Sequence, residues 1–259
     1  MLTFSNATHR DLLDVQDRLR PQLRSATTLE SAARGAIQII CTEFSSSVVL
    51  ARMFITLPFG KLPEDLRRAA WEVVEAQGLH ASVRDQTPVL TLLSACGKNA
   101  EWCDRRRSRG HAAIPLCTAS FLDSIPMIAR MMQEMGVDLG LRSESGPYAQ
   151  KVLNAGWVGL FYVEDARSAR DERGRRIIPA SDFVDTHSVR TVFGLGKAYG
   201  NGSIASFVVF SNAIVSRDRV EALAPLVNGF KAATLDLVST GAIFDDAATA
   251  GTAPGTDPA

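Results

Sequence analysis

The stretch that decides the fold is Val189-Arg-Thr-Val-Phe-Gly-Leu-Gly-Lys-Ala-Tyr199, followed by Gly200-Asn-Gly202 and then Ser203-Ile-Ala-Ser-Phe-Val-Val-Phe-Ser211. Both longer runs are rich in the β-branched and aromatic residues that favour strands. The glycine-asparagine-glycine link accepts the positive φ angles of a tight hairpin turn. We therefore predict an antiparallel hairpin, which argues against a purely parallel, doubly wound sheet.

Outward from this hairpin, the chain alternates between strand and helix patterns. Apolar, β-branched runs predict strands at 47–57, 87–95 and 157–163, and apolar residues at helical spacing predict helices at 29–44, 63–77 and 124–136. Ser216 is predicted to cap a last helix that runs through Val238. At least five strands with helices at both ends predict an α+β fold.

The chain divides into three predicted regions. Residues 1–27 form an amphipathic helix whose apolar stripe could pack on the body or on a second copy, and which we interpret as a dimer or signalling helix. Residues 28–243 contain no repeat or linker and form a single domain. Residues 244–259 lack the apolar side chains needed to offset ordering entropy, so we expect a disordered tail.

Composition restricts the range of partners. The 259 residues are 46% hydrophobic, and 28 basic residues balance 28 acidic residues, so no net field attracts nucleic acid. No basic segment followed by an apolar run opens the chain, and no later run is long enough to span a bilayer. Four cysteines are too few for a disulfide scaffold. We expect a cytoplasmic protein with no nucleic-acid partner and no membrane contact.

Several phrases carry a family resemblance that covers most of residues 85–240. They are Asp104-Arg-Arg-Arg-Ser-Arg-Gly-His-Ala-Ala-Ile-Pro-Leu116, Pro126-Met-Ile-Ala129, Phe161-Tyr-Val-Glu-Asp-Ala166, the run from Val189 to Gly196, and Phe207-Val-Val-Phe-Ser211. With them the chain resembles the GAF-like N-terminal sensor regions of bacterial histidine kinases and cyclases. The resemblance implies a GAF/PAS-like fold: a central antiparallel sheet of five or six strands with the N- and C-terminal helices packed on one face.

The resemblance also implies a function. Domains of this kind sense a small ligand or a redox state and pass the change through flanking helices to a kinase or cyclase. Because a short polar tail follows Phe244, we expect the signal to reach a separate protein or a second subunit. The ligand and any cofactor stay open, since GAF-type pockets accept cyclic nucleotides, tetrapyrroles, amino acids, haem or nothing.

Cysteines and a histidine follow one another as Cys96-x6-Cys103-x7-His111-x5-Cys117. Structural zinc sites usually contain close Cys-x-x-Cys or His-x-x-x-His pairs, and this segment has neither, so we predict no metal site. Some stand-alone GAF proteins reduce free methionine sulfoxide with a nucleophilic and a resolving cysteine. Arginines at 105–107 and 109 would favour a thiolate at Cys103. A cysteine-based redox enzyme that uses Cys96, Cys103 and Cys117 is therefore one alternative.

A ligand pocket is predicted between the sheet and residues 98–136. Guanidinium groups could bind an anion, methionines could form an adaptable apolar wall, and Gly194-Leu-Gly196 could form the floor, since glycines inside a strand let a ligand approach. The methionines and the tryptophan could equally be core residues. The predicted ligand-binding residues are Trp102, Arg105, Arg107, His111, Met127, Met131, Phe193, Gly194 and Gly196.

Three functional hypotheses follow from the sequence. The first is a sensory or regulatory domain, a homodimer through its terminal helices, that binds a small ligand or senses redox state and signals to a kinase or cyclase. The second is the cysteine-based reductase, and the third is an interaction module without a ligand. No pair of side chains with the spacing of a general acid and base is evident, so the first hypothesis leads.

Overall fold

The computed structural model describes residues 1–107, 111–134 and 158–245. Within these ranges the strands form one antiparallel sheet. In chain order they are β1 (Val48–Pro58), β2 (Pro88–Gly97), β3 (Ala113–Pro115), β4 (Val158–Val163), β5 (Thr191–Ala198) and β6 (Ile204–Ser211). Their order across the sheet is β3-β2-β1-β6-β5-β4, with every neighbouring pair antiparallel. The predicted α+β class with a central antiparallel sheet is confirmed.

The hairpin predicted between residues 189 and 211 is formed by β5 and β6. The Tyr199 N–H donates to the Ser203 carbonyl at 2.7 Å, and the Gly202 N–H donates to the Tyr199 carbonyl at 3.0 Å. Gly202 has a φ of 84°, which a residue with a side chain rarely adopts. The Asn201 side chain accepts the Ser203 N–H at 3.0 Å. Of the three turn residues, Gly202 therefore supplies the positive φ that the sequence predicts for this link.

Helices lie before, between and after the strands. They are α1 (His9–Ser25), α2 (Leu29–Glu43), α3 (Glu64–Glu75), α4 (Ala119–Asp123), α5 (Pro126–Glu134), α6 (Ser181–Thr186), α7 (Arg217–Glu221), α8 (Ala224–Ala233) and α9 (Leu235–Thr240). Short 3-10 helices occupy Phe59–Lys61, His80–Ser82 and Ala100–Cys103. Among the helices of the described ranges, none combines the length and the apolar character that crossing a bilayer would need.

The N- and C-terminal helices cover one side of the sheet, which we call the first face. α1 packs on α2 and α8, α2 packs on β1 and β2, and α8 packs on β5. Phe4 stacks on Phe44 with ring centroids 4.2 Å apart and meets the edge of Phe193 at 5.1 Å. The predicted packing of both termini on one face is confirmed.

The opposite side, the second face, has a separate apolar core. α4, α5 and α6 contribute Phe121, Leu122, Ile128, Met131 and Val184 to it, and the sheet contributes Phe54, Leu92, Phe161 and Val208. Because neighbouring residues of a strand point to opposite sides, each central strand supplies both cores. The sheet is thus buried between two layers, and its strands are apolar along nearly their whole length.

The predicted helix boundaries differ from the structure mainly after the hairpin. One helix from Ser216 to Val238 is predicted, but α7, α8 and α9 are separate, and Ser216 makes no side-chain cap. Pro225 lacks the backbone N–H that would continue α7, so a new helix begins there. Thr234 ends α8, and its hydroxyl bonds the Phe230 carbonyl at 2.7 Å. β3, α4 and α6 were not predicted.

The first helix belongs to the same core as the rest of the chain. Its apolar stripe is buried against α2 and α8 and consists of Leu12, Val15, Leu19 and Leu23. The stripe packs on the body, which is one of the two arrangements that the sequence left open. A role of residues 1–27 in dimerisation stays a prediction.

Two residues of the predicted tail make defined contacts. The Phe244 ring lies under the Arg105 guanidinium, with 5.6 Å from its centroid to Cζ, and the Asp245 N–H donates to Glu30 at 3.1 Å. The α2 N–H groups of Leu29 and Glu30 donate to the carbonyls of residues 242 and 243. The chain is therefore anchored through residue 245, and residues 246–259 lie outside the described ranges.

Candidate functional site

Two of the predicted cysteines meet at the end of β2. The Sγ atoms of Cys96 and Cys103 lie 3.2 Å apart. Cys96 is half-buried, whereas Cys103 is exposed, and neither is in a disulfide. The two thiols are close enough for one sulfur to attack the other after oxidation, so this pair is the centre of the candidate site.

A short turn brings the two cysteines together. The Asn99 side chain accepts the Glu101 N–H at 3.0 Å and caps the 3-10 helix Ala100–Cys103, which folds back over the end of β2. The Gly97 N–H donates to the Cys103 sulfur at 3.4 Å. A Cβ at position 97 would lie 2.5 Å from the Val49 carbonyl oxygen and 2.8 Å from the Trp102 ring. Glycine at this position is therefore required for the turn to close on the strand.

A third cysteine that the sequence analysis did not select lies beside this pair. Cys41 is on α2, and its thiol donates to the Cys96 carbonyl oxygen at 3.4 Å. The signal was present in the sequence, because Cys41 follows Ile37 by four residues and therefore shares the helix face that packs on the sheet. It was missed because α2 and β2 are far apart in sequence.

The three thiols differ in acidity. The neighbouring Cys41 thiol, helped by the Cys103 thiol and the Gly97 backbone, lowers the pKa of Cys96 to about 6 against the opposing effect of partial burial. The neighbouring Cys96 thiol and burial raise the pKa of Cys41. Burial also raises the pKa of Cys103. Cys96 is thus the thiolate of the cluster near neutral pH, and thiolates are the nucleophilic form.

Cys117 is separate from this cluster. It follows β3 and packs beside the second-face core, whereas Cys41 and Cys96 pack beside the first-face core. Burial raises the pKa of its thiol. Among the described residues it has no hydrogen bond to another cysteine. The structure therefore brings two of the three predicted redox cysteines together and leaves the third apart. No group of metal-binding geometry occurs within the described part of the chain.

The predicted aromatic residue of the site, Trp102, faces the other side of the turn. Its ring meets the edges of Phe183 and His187, with centroid distances of 5.6 and 5.0 Å. It packs against the second-face core through these contacts. One turn therefore carries Cys103, which contacts Cys96 beside the first-face core, and Trp102, which packs beside the second. A displacement of this turn would be felt on both sides of the sheet.

The two arginines of the predicted anion site have different environments. Arg105 is buried and its guanidinium bonds Glu30 at 3.0 Å and Asp65 at 2.9 Å. Arg107 is exposed and lies 3.9 Å from Glu101. The Arg105 partners Glu30 and Asp65 lie on α2 and α3 and were not predicted. Arg105 is paired with two carboxylates of the protein, so its main role in this structure is to hold the turn to the helices.

The remaining predicted ligand residues do not share one pocket. Met131 is buried in the second-face core, with Met127 packed against that core, whereas Phe193 is buried in the first-face core. The sheet separates Phe193 from the two methionines, because the Phe193 side chain points to the first face whereas the methionines pack on the second. His111 is exposed before β3. The nine residues therefore lie on both sides of the sheet, with Met131 buried in the second-face core, and their role in binding a ligand stays a prediction.

The exposed thiol opens on a cleft of about 340 Å³. Cys103, Asp104 and Arg106 line one side of this cleft. Glu30, Arg34, Arg105 and Asp245 line the other side, where Asp245 also forms an ion pair with Arg34. Both charges are represented equally, so the cleft is polar without a strong preference for one sign. A small polar oxidant can therefore reach Cys103 directly.

Comparison with solved structures returns GAF domains, the family that the sequence resembles. A GAF domain of an Acinetobacter phosphoenolpyruvate-protein phosphotransferase is 13% identical, with 90% of this chain and 98% of that chain covered and a TM-score of 0.47. The corresponding domain from Coxiella burnetii is 10% identical, with 92% and 100% covered and a TM-score of 0.48.

A free methionine-R-sulfoxide reductase from Neisseria meningitidis, solved with its substrate, is 11% identical, with 93% and 98% covered and a TM-score of 0.47. No family model matches the sequence. No curated protein matches it either. Sequence identities this low indicate a shared fold and no more, so we transfer no activity from these proteins.

Proposed function

We propose that this protein is a sensory or regulatory domain that responds to oxidation through Cys96 and Cys103. The observation that carries the proposal is the 3.2 Å separation of their sulfur atoms, with a lowered pKa at Cys96. A low-pKa thiol beside a second thiol is typical of reversible redox sensors. The proposal retains the leading hypothesis from the sequence and selects redox state as the signal.

The chemistry requires a peroxide as the oxidant. The Cys96 thiolate attacks one peroxide oxygen, the O–O bond breaks, and the sulfur becomes a sulfenic acid while the other oxygen leaves as water after protonation. Cys103 then attacks the Cys96 sulfur, the S–O bond breaks, and a second water leaves. Two thiols and one hydrogen peroxide thus become one disulfide and two waters. A dithiol reductant reverses the bond by exchange.

The turn connects this chemistry to the C-terminal end of the described chain. Arg105, two residues after Cys103, bonds the Glu30 carboxylate, which also accepts the Asp245 N–H at 3.1 Å. Forming the disulfide requires the two sulfurs to approach from 3.2 Å to about 2.05 Å. We propose that this shift loosens the Arg105–Glu30 contact and with it the segment that ends at Asp245.

We propose a cytoplasmic setting, in which a reversible disulfide is informative because the glutathione and thioredoxin systems keep thiols reduced. We propose that the output is received by a separate kinase or cyclase, and that two copies associate through the terminal helices.

The test is oxidation of the reduced full-length chain with hydrogen peroxide. We expect one peroxide to consume two thiols per chain, a dithiol to restore them, and hydrogen exchange to rise in residues 28–34 and 241–245 of the oxidised form. Cys117→Ser should behave as wild type, and Cys103→Ser should show no change in exchange. Unchanged exchange after complete disulfide formation would contradict a regulatory role. Catalytic turnover of free methionine sulfoxide would instead assign the reductase alternative.

A further inference from the structure

The two sulfur atoms of the Cys96–Cys103 pair differ in access. Cys103 is exposed, whereas Cys96 is half-buried. The described residues that line the cleft of about 340 Å³ include Cys103 and not Cys96. Once the two sulfurs form a disulfide, a small thiol that enters this cleft therefore meets the Cys103 sulfur first.

The acidity of Cys96 favours attack on the same sulfur. In thiol–disulfide exchange the S–S bond breaks with its electron pair going to the departing sulfur, and a less basic thiolate departs faster. The Cys41 thiol lowers the pKa of Cys96 to about 6, whereas burial raises the pKa of Cys103. Attack at Cys103 thus expels the better leaving group of the pair. Access and acidity both select the Cys103 sulfur.

One cation of the cleft has no carboxylate partner among the described residues. Arg105 and Arg34 form ion pairs with Glu30 and Asp245, whereas the guanidinium of the exposed Arg106 forms none within the described ranges. The polar contact of Arg106 with its neighbour comes from the backbone, whose N–H donates to the Asp104 carboxylate at 2.9 Å. The planar fork of N–H donors at Arg106 therefore faces the cleft available to an external carboxylate.

Carboxylates of the same cleft supply the opposite charge. Asp104 follows Cys103 directly in the chain, and Asp245 lines the other side. Although burial opposes it, hydrogen bonds from Thr28 and Arg34 lower the pKa of Asp245, with help from the Arg34 and Arg106 charges. Asp245 is thus ionised at neutral pH and suits an ammonium group. The cleft volume lies within the range of about 300–1,000 Å³ that is typical of small-ligand pockets.

We propose, on the basis of the function proposed above, that this cleft binds a small zwitterionic thiol of the glutathione class, which reduces the Cys96–Cys103 disulfide. A carboxylate of the thiol pairs with Arg106, and its ammonium group pairs with Asp104 or Asp245. These contacts hold the external sulfur beside the exposed Cys103. The cleft thereby determines which reductant resets the sensor.

The reaction has two exchange steps. The external thiolate attacks the Cys103 sulfur, the protein S–S bond breaks, and Cys96 leaves as a thiolate. A second external thiolate attacks the sulfur of the first, and Cys103 leaves as a thiolate. The protons of the two small thiols pass to the protein thiolates or to water. One protein disulfide and two small thiols thus become two protein thiols and one small-molecule disulfide.

The experiment uses the full-length chain after oxidation with hydrogen peroxide. Reduced glutathione or the neutral 2-mercaptoethanol is added, samples are quenched with iodoacetamide, and mass spectrometry follows the loss of the Cys96–Cys103 disulfide. Each rate constant is divided by that of the same thiol with a small reference disulfide, which removes differences in intrinsic reactivity. We expect the normalised rate with glutathione to be at least about tenfold higher and to saturate, because one charge-assisted hydrogen bond is worth about a factor of ten.

A matched pair of arginine variants tests the charge contact. Arg106→Gln should remove about tenfold of the glutathione advantage. Arg68→Gln, on the exposed side of α3 and outside the cleft, should leave the rate unchanged. Neither variant should alter the rate with 2-mercaptoethanol. Equal normalised rates for the two thiols, or equal glutathione rates in the two variants, would overturn the proposal.

An early quench locates the attacked sulfur. Trypsin cleaves after Lys98, so the two cysteines lie on separate peptides. We expect glutathione on the peptide that contains Cys103 and alkylation of Cys96. Glutathione on Cys96 with Cys103 alkylated would contradict attack through the cleft. A chain in which peroxide forms no Cys96–Cys103 disulfide would instead contradict the redox function itself, and this reduction step with it.

Discussion

Cys96 and Cys103 place their sulfur atoms 3.2 Å apart, although one belongs to a buried strand and the other to an exposed turn. The contact depends on Gly97, whose N–H bonds the Cys103 sulfur and whose missing side chain lets the turn close. Cys41 adds a third thiol from α2 and acidifies Cys96. The arrangement combines an acidic thiol, a partner thiol and an opening to solvent at the end of one strand.

The acidity of Cys96 predicts the pH dependence of its alkylation. The thiolate is the reactive form, so the rate should rise with pH, reach half its maximum near pH 6 and level off above it. Cys41→Ala removes the neighbouring thiol that contributes most to the acidity of Cys96, so the half-maximum should move upward, towards the ordinary value of about 8.5. Iodoacetamide labelling of Cys96, followed by peptide mass spectrometry, measures both. Cys117→Ser is the control, and an unchanged midpoint in Cys41→Ala would refute the effect of Cys41 on Cys96.

Arg105 should be a stability residue and not a ligand residue. Its side chain and that of Glu30 are both buried, so Arg105→Met leaves an unpaired carboxylate and should lower the free energy of unfolding by about 3 kcal/mol. Arg107→Met, at an exposed position, should change it by less than about 0.5 kcal/mol. Urea unfolding measures both. Adding Glu30→Gln to Arg105→Met should recover part of the loss, and equal stabilities of the two arginine variants would contradict this role.

Gly194 and Gly200 form a matched pair within one hairpin. Gly194→Ala would place a Cβ 2.9 Å from the Phe207 carbonyl oxygen, so we expect a loss of about 1–3 kcal/mol in the free energy of unfolding. Gly200→Ala meets nothing within 4 Å and should change stability by less than about 0.5 kcal/mol. Chemical denaturation of both variants measures the difference. A harmless Gly194→Ala would show that β5 does not approach β6 as closely as described.

The α1 stripe should stabilise the monomer. Leu19 is 4% exposed within the first-face core, so Leu19→Ala should cost about 3 kcal/mol of unfolding free energy at any protein concentration. Leu13, on the same helix, is 45% exposed and serves as the control, with an expected change below about 0.5 kcal/mol. If Leu19→Ala instead dissociated a dimer in sedimentation and left the monomer's stability unchanged, the stripe would be an intermolecular surface.

Local patterns predicted the sheet well. β1, β2, β5 and β6 follow from β-branched runs bounded by turn residues, and the Gly200-Asn-Gly202 turn follows from the φ angles that those residues accept. The three-residue β3 was not predictable, because Ala113–Pro115 is too short to show a period and exists only through pairing with β2. Short helices such as α6 fail for the same reason.

The candidate site was predicted only in part, since sequence spacing does not reveal which face of the sheet a residue joins. Cys96 and Cys103 were selected together, but Cys41 lies 55 residues from Cys96 and reaches it only through α2 packing. Arg105 was assigned to a ligand because its carboxylate partners are remote in sequence. Contacts between residues that are far apart in sequence produce no local pattern of residue types, so neither the ion pairs nor the sulfur contact could be predicted from the sequence.

The most direct test is the identity of the first disulfide that forms when the reduced full-length protein meets a limiting amount of hydrogen peroxide. Trypsin cleaves after Lys98, which lies between the two cysteines, so a Cys96–Cys103 bond holds two peptides together until reduction. Mass spectrometry of the non-reduced digest should detect this linked pair in wild type and Cys117→Ser, and not in Cys96→Ser or Cys103→Ser. A first disulfide that contains Cys117, or sulfenic acid that persists at Cys96 without a disulfide, would contradict the account.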